Sequence, residues 1–270
     1  MNVTSGHATL SVEIGDGANR RNLDLLFLHA GVTDKRSWRS ITASLSDQYR
    51  CISFDARGFG ETAYLPQPGW SAVDDALRVL DAAGSERAVL VASSLGGRTA
   101  IDLVLAHPGR VAALLLIAPA VRGAPYPDPT EREAALEEAA EEAAEDNRID
   151  DANRLEAHLW LDGPTSPEGR VSGAPRELFL QMNGQALRSP DPGSMAATDD
   201  AWSRVDQITV PTLVLVGDLD CSDLQVIGRQ LAALIPLATF IELAGIAHLP
   251  QLEAPTELAG LIRLFLEPLA

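Results

Sequence analysis

The apolar positions of this chain fall into two kinds of run. Leu23 to Leu28, Ala88 to Ala92, Val111 to Ile117 and Thr212 to Val216 are nearly continuous apolar stretches of five to seven residues. Runs of this kind read as strands buried on both faces, the condition of a parallel sheet covered by helices. Tyr49 to Phe54 and Ala238 to Leu243 read as further strands, and Ala8 to Ile14 alternates as a strand with one wet face does. Between these runs the apolar spacing changes to three and four. Ser37 to Leu45, Ser71 to Ala83 closed by Gly84, Ala100 to Ala106, Leu224 to Leu234 and Thr256 to Leu266 read as helices. Strand and helix in alternation predict an α/β fold with a mostly parallel central sheet flanked by helices.

From Arg122 to about Val205 the pattern breaks, and no buried strand can be read there. Pro129 to Asn147 predicts an Ala/Glu-rich helix, and Asp150 to Leu161 and Pro175 to Leu187 predict two more, separated by Gly/Pro/Ser-rich turns. The expected organisation is a core domain over 1–121 and 206–270, with a helical cap over 122–205 inserted after one strand. Charge follows the same division. The chain carries 21 basic and 38 acidic residues, a net charge of −17. Between Arg122 and Arg204 there are 8 basic and 18 acidic residues, so more than half of the excess sits in under a third of the chain. The run Glu137, Glu138, Glu141, Glu142 and Glu145 reads as a solvated helix face.

An acidic balance argues against nucleic acid and anionic membranes as partners. No apolar run reaches the roughly 18–20 residues of a membrane span. The segment Met1 to His7 has neither a basic nor an apolar leader pattern. Cys51 and Cys221 lie far apart, and no Cys or His pair has metal-ligand spacing. The expectation is a cytoplasmic, reduced protein with no metal and no disulfide.

The chemistry is carried by the end of one strand. Ala88 to Ala92 passes into Ser93-Ser94-Leu95-Gly96-Gly97 and then into the helical spacing of Arg98 to Ala106. A serine on a tight strand-to-helix turn is held out of both elements. Its hydroxyl is exposed above a helix N-terminus, where developing negative charge is favoured. Serine is a poor nucleophile at neutral pH and needs a base, with a third group to orient that base. Later strand ends supply candidates: Gly217-Asp218-Leu219-Asp220 after Thr212 to Val216, and Ala247-His248-Leu249-Pro250 in the loop after Ala238 to Leu243. No carboxylate directly follows Val111 to Ile117. The order is serine, acid, histidine, with Asp218 and Asp220 both open as the acid.

These residues resemble the α/β-hydrolase superfamily, in the form of a serine hydrolase with a helical cap. Ala92 to Gly96 is similar to its G-x-S-x-G nucleophile elbow, with Ala92 at the first glycine. Leu26 to Gly31 resembles its apolar strand followed by His-Gly, with Ala30 replacing a glycine. Asp55-Ala56-Arg57-Gly58-Phe59-Gly60-Glu61-Thr62 resembles its D-x-R-G-x-G-x-S/T turn. Gly217 to Asp220 resembles G-x-x-D, and His248 with Glu253 and Pro255 resembles H-x-x-x-x-E-x-P. The resemblance implies an α/β-hydrolase fold with Ser94 as nucleophile, His248 as base and Asp220 as the acid. Gly31 and Leu95 are then the oxyanion donors, with Val32 as a fallback. His29 is expected to brace the oxyanion loop, and Asp55 and Arg57 to be structural. Alanine is the smallest replacement for glycine, so both substituted turns are expected to tolerate it.

The implied function is a cofactor-free serine hydrolase cleaving a carboxylic ester, lactone or thioester through an acyl-enzyme. The same residues could also serve carbon–carbon bond hydrolysis or peroxy-acid formation, or a receptor-like protein with little turnover. The loop His29 to Thr33 lacks the extended Gly-rich, Pro-containing run of the carbon–carbon hydrolases. A serine nucleophile argues against the dehalogenases and epoxide hydrolases, which use aspartate. Val32, Trp160, Phe179, Met182 and Leu249 are the candidate substrate contacts. With apolar residues such as these, the cap suits a small-molecule substrate with an apolar or neutral acyl group. Arg154, Arg176 and Arg188 are the arginines the cap offers to a substrate carboxylate, but each reads more simply as an exposed arginine. The sequence leaves the oligomeric state open.

Overall fold

The computed structural model describes residues 1–15 and 23–269; residues 16–22 and 270 of the expected core lie outside the described residues. Strands β1 (Asn2–Ser5), β2 (Ala8–Ile14) and β3 (Asp24–Leu28) lead to helix α1 (Arg39–Leu45). Then come β4 (Arg50–Phe54), the short β5 (Ala63–Tyr64), α2 (Ala72–Ala82), β6 (Ala88–Ser93), α3 (Leu95–Ala106) and β7 (Val111–Ile117). A helical segment follows, with α4 (Glu131–Glu145), α5 (Ile149–Glu156) and α6 (Ala174–Ala186). The chain ends with β8 (Thr212–Gly217), α7 (Ser222–Leu234), β9 (Ala238–Leu243), α8 (Pro250–Glu253) and α9 (Pro255–Leu266). The sheet order is β1-β2-β4-β3-β6-β7-β8-β9, with β5 paired to β2. All pairs from β4 through β9 are parallel, and only the β1, β2 and β5 edge is antiparallel. This is the α/β-hydrolase fold.

The continuous apolar runs are buried on both faces, as a covered parallel sheet requires. Along β3, Leu26 and Leu28 face one cluster with α2, α3 and α7, while Leu25 and Phe27 face another with α1 and α9. Along β6, Leu90 and Ala92 take the first side, and Val89 and Val91 the second. A fully buried leucine contributes about 1.5–3 kcal/mol, so two such layers fix the register of every central strand. Parallel strands in fixed register end together, and the turns after β3, β4, β6, β8 and β9 share one edge of the sheet.

Two strands escape the apolar pattern. β1 and β5 are short edge elements paired to β2 through backbone, and their sequences hold too few apolar residues to announce them. The helix expected over Asp150 to Leu161 is also modified. After α5 the chain widens into a π-helical turn, Ala157–Asp162, before Gly163 with φ 90°. Helix α4 opens with a full capping box between Thr130 and Glu133.

The turn after β4 is held by buried charge. Asp55 is fully buried. Its carboxylate accepts from the backbone N–H groups of Lys35 and Glu61 and from Lys35 Nζ at 2.6 Å. Lys35 is itself buried and also reaches Glu61 at 2.8 Å. Burial works against the Lys35 ammonium, but its bonds to Asp55 and Glu61 outweigh that and raise its pKa. Nearby, Arg57 forms a bidentate pair with Asp75 (2.8 and 2.9 Å) and lies 5.1 Å over the Trp70 ring. Lys35→Met leaves Asp55 as an uncompensated buried charge. It is expected to lower unfolding free energy by about 3–5 kcal/mol, read as a shifted midpoint in urea denaturation; an unchanged midpoint would show that the pair does not hold the turn.

Candidate active site

Ser94 sits between β6 and α3 with φ 51° and ψ −113°, in backbone space that L-residues rarely enter. The surroundings hold it there. Its N–H donates to Ile117 O at 2.9 Å, and its carbonyl accepts from the N–H groups of Ala120 (3.1 Å) and Arg98 (3.2 Å). The two following glycines let α3 approach the sheet. A Cβ on Gly96 would run into the carbonyl oxygens of Leu28 and His29, and one on Gly97 would lie 2.5 Å from Pro119 Cβ. Ala92 and Ala30, which stand where glycines were expected, are both fully buried among apolar neighbours. The Ser94 side chain makes no capping bond to its helix.

His248 is buried, and its Nδ1 lies 2.9 and 3.1 Å from the two carboxylate oxygens of Asp220. A carboxylate accepts only, so Nδ1–H donates and Nε2 is left as the basic nitrogen. Asp220 is oriented in turn by the Cys221 N–H at 2.8 Å. Asp218, the other acid of this loop, is exposed and accepts the Gly245 N–H at 2.6 Å, a turn role. Glu253 pins the histidine loop from behind, accepting the N–H groups of Ala247 (2.9 Å) and Leu249 (3.1 Å). Burial pushes the Glu253 carboxyl up, against those bonds and Arg170. Gln251 Nε2 reaches Ser93 Oγ at 3.5 Å, which sets this loop against the end of β6.

The loop after β3 closes the third side. Gly31 faces Leu95: a Cβ on Gly31 would touch the Leu95 side chain at 3.6 Å. Leu95 opens α3, so its N–H is one of those that helix geometry leaves without an intrahelical partner. His29 braces this loop through both ring nitrogens. Nδ1–H donates to Ala30 O at 2.8 Å, and Nε2 accepts the Ala56 N–H at 3.0 Å, with Phe59 edge-on at 4.9 Å. Such a ring has no nitrogen to spare for a substrate.

The candidate substrate contacts separate into two groups. Phe179, Met182 and Leu249 are fully buried and pack with Ala30, Leu161 and Leu252, joining the helical segment to the core. Val32 and Trp160 are only partly buried beside them, and the Trp160 ring lies 4.9 Å from that of His248. None of these five lines the apolar crevice of about 380 Å³ that opens beside the elbow, although Leu95, His29 and Arg57 do. Its other walls include Phe59, Trp70, Arg98 and Met195, none of which stood out in the sequence. Arg98 could have been found, because residues 95, 98, 99 and 102 share one helix face. Phe59 and Trp70 lie on loops, where spacing carries no such signal. Arg176 corrects an expectation: it is turned inward on the buried Asp162 at 2.7 Å instead of being exposed. Cys51 and Cys221 are free, and burial pushes both thiols up, Cys51 to about 12. No helix among the described residues is long and apolar enough to cross a membrane.

Comparison with known proteins finds relatives of this chain. A profile described as the alpha/beta hydrolase family matches residues 25–261. The chain is 25% identical over 254 residues to a pimeloyl-[acyl-carrier protein] methyl ester esterase of Aliivibrio salmonicida, covering 91% of this chain and 92% of that one. It is 24% identical over 258 residues to 3-oxoadipate enol-lactonase 1 of Acinetobacter baylyi, covering 92% and 89%. The crystal structure of a hydrolase from Pseudomonas aeruginosa superposes with a TM-score of 0.78 and 26% identity, over 98% of this chain and 96% of that one.

Burial holds the His29 pKa below its ordinary 6.5, with the bond to Ala30 opposing that fall. Below pH 6.5 the unfolded chain therefore binds a proton that the folded ring resists. Stability contributed by neutral His29 is present above that pH and is lost as pH falls toward the depressed folded value. In denaturant titrations from pH 7.5 to 5, the wild type is expected to lose stability relative to His29→Asn. Parallel curves would show that His29 titrates freely.

Proposed function

The chain belongs to the alpha/beta hydrolase family and is an enzyme of it, and on that premise we propose that it is a serine hydrolase cleaving a carboxylic ester, lactone or thioester. The observation that carries this reading is the His248–Asp220 pair at 2.9 Å, on the same sheet edge as a serine in a left-handed elbow. Ser94 Oγ attacks the carbonyl carbon while His248 Nε2 takes its proton. Asp220 keeps Nδ1–H directed at itself and stabilises the imidazolium that forms. The backbone N–H groups of Leu95 and Gly31 receive the oxyanion, with the Val32 N–H as the alternative to Gly31. One such donor is worth roughly 3–4 kcal/mol of transition-state stabilisation. The imidazolium then protonates the departing alkoxide or thiolate, leaving an ester on Ser94. Water, deprotonated by His248, attacks that ester, and the acid departs with Ser94 regenerated. No step calls for a cofactor.

Val32 and Trp160 border the reacting carbonyl in this reading, and Phe179, Met182 and Leu249 support them from the packed layer behind. The helical segment over 122–205 acts as a lid, anchored where Glu133 accepts from the Ser222 N–H and hydroxyl, both at 2.7 Å, and where Arg170 pairs with Glu253. Both relatives carry names of reactions at an acyl carbon, an ester cleavage and an enol-lactone opening, which supports the same bond class here.

The test is intact-protein mass spectrometry after incubation with a fluorophosphonate. A single adduct on the wild type, absent from Ser94→Ala, is expected. Ester turnover should fall by about 10³–10⁶-fold in Ser94→Ala and about 10³–10⁴-fold in Asp220→Asn, while Asp218→Asn stays close to wild type. Full activity in Ser94→Ala overturns the mechanism.

A further inference from the structure

Helix α3 turns Leu95, Arg98, Thr99 and Asp102 toward the apolar crevice beside the elbow. At 1.5 Å per residue this face runs about 10 Å from Leu95, next to Ser94, to Asp102. Phe59, Trp70 and Met195 form the opposing wall. A cavity of about 380 Å³ is of the size that small organic ligands fill.

Three arginines border it, Arg57, Arg98 and Arg122. The Arg98 side chain is half-buried, and its guanidinium has no hydrogen-bond or ion-pair partner among the described residues. Asp102, the acid on its own helix face, is held instead by Arg122 Nη2 at 3.0 Å. Arg122 in turn keeps a buried Nε with no acceptor. The other charges of the crevice are engaged. Arg57 and Asp75 hold each other, and Asp191 accepts the Gly193 N–H at 2.8 Å. Burial and the like charge of Arg122 weigh against Arg98, with Asp102 and Tyr126 opposing; an arginine nonetheless stays charged.

An unpaired cation here is conspicuous, because acids outnumber bases 38 to 21 in this chain. The arginines that the sequence offers as carboxylate ligands are all occupied: Arg154 by Glu168, Arg176 by Asp162 and Arg188 by Asp150. A half-buried guanidinium with no protein acceptor keeps its donors open to the crevice, and a carboxylate there gains charge-assisted hydrogen bonds.

We propose that this crevice seats a carboxylate-bearing part of the substrate, with the Arg98 guanidinium as the ligand of the carboxylate. The substrate class is then an ester, lactone or thioester that carries a carboxylate separated from the scissile carbonyl by a short apolar stretch. This differs from the apolar or neutral acyl group expected from cap composition. It rests on the serine-hydrolase reading for the reacting centre, but the anion site itself can be tested without turnover.

Two charged esters and their neutral matches make the test. Mono(4-nitrophenyl) glutarate against 4-nitrophenyl pentanoate puts the carboxylate on the acyl side. 4-Acetoxybenzoate against methyl 4-acetoxybenzoate puts it on the leaving side. In the wild type, one charged ester is expected to exceed its neutral match in kcat/KM by at least about tenfold, the size of one charge-assisted hydrogen bond. Arg98→Met should abolish that ratio, chiefly through KM, and Arg98→Lys should keep part of it. The member of the pair that shows the preference identifies the side that carries the anion. A ratio that survives Arg98→Met, or a preference for both neutral esters, overturns the proposal. Independently, glutarate should raise the melting temperature of Ser94→Ala and not that of Ser94→Ala/Arg98→Met. If no ester is cleaved, the hydrolase reading fails and this shift alone decides the anion site. No shift in Ser94→Ala means there is none.

Discussion

Helix α3 meets the sheet through Gly96 and Gly97, and everything at this edge follows from how close that contact is. Side chains there would collide with the carbonyl oxygens at the end of β3 and with Pro119 after β7. The close approach forces Ser94 into the left-handed region and lifts its side chain off both β6 and α3. It also sets Leu95 against Gly31, so that two loops from different strands meet at one point. A strained residue persists only where its neighbours over-determine it. Here the bonds to Ile117, Ala120 and Arg98 do so.

Polar groups buried around this contact hold loops that have little apolar surface of their own. His29 ties the loop after β3 to the turn after β4 through its two ring nitrogens. Lys35, Asp55 and Glu61 close that turn, and Arg57 clasps it to Asp75 at the start of α2. Glu253 does the same for the histidine loop with two backbone bonds. Such pairs gain little net stability over an apolar packing, but breaking one leaves an uncompensated charge. Their effect is to restrict the loops to one arrangement.

The helical segment meets the core in two different ways. On the histidine side, Phe179, Met182 and Leu249 share one buried apolar cluster, and Arg170 reaches across to Glu253. On the α3 side the contact is a ribbon. The stretch before Ala196 bonds to residues 67–70 through backbone and through Trp70 Nε1, which donates to Gly193 O at 2.7 Å. A ribbon spans a gap where packed side chains would fill it, and the crevice bounded by Arg98 and Arg122 is that gap.

Local chemistry made much of this protein legible from its sequence. Buried parallel strands must be apolar on both faces, so β3, β6, β7 and β8 could be read with little error. The elbow could be read too, because a strained turn tolerates only small neighbours, as could the order of Ser94, the acid loop and His248. What the sequence left open depended on contacts between distant segments. Asp218 and Asp220 are equal by spacing. They differ because the chain turns Asp220 onto His248 and Asp218 onto the Gly245 N–H. The edge strands β1 and β5 exist through pairing to β2, which composition does not encode. The state of each arginine was likewise decided by tertiary structure. Arg176 found Asp162 while Arg98 was left facing a crevice, because an ion pair depends on which acid the fold brings within reach, and linear charge patterns are blind to that.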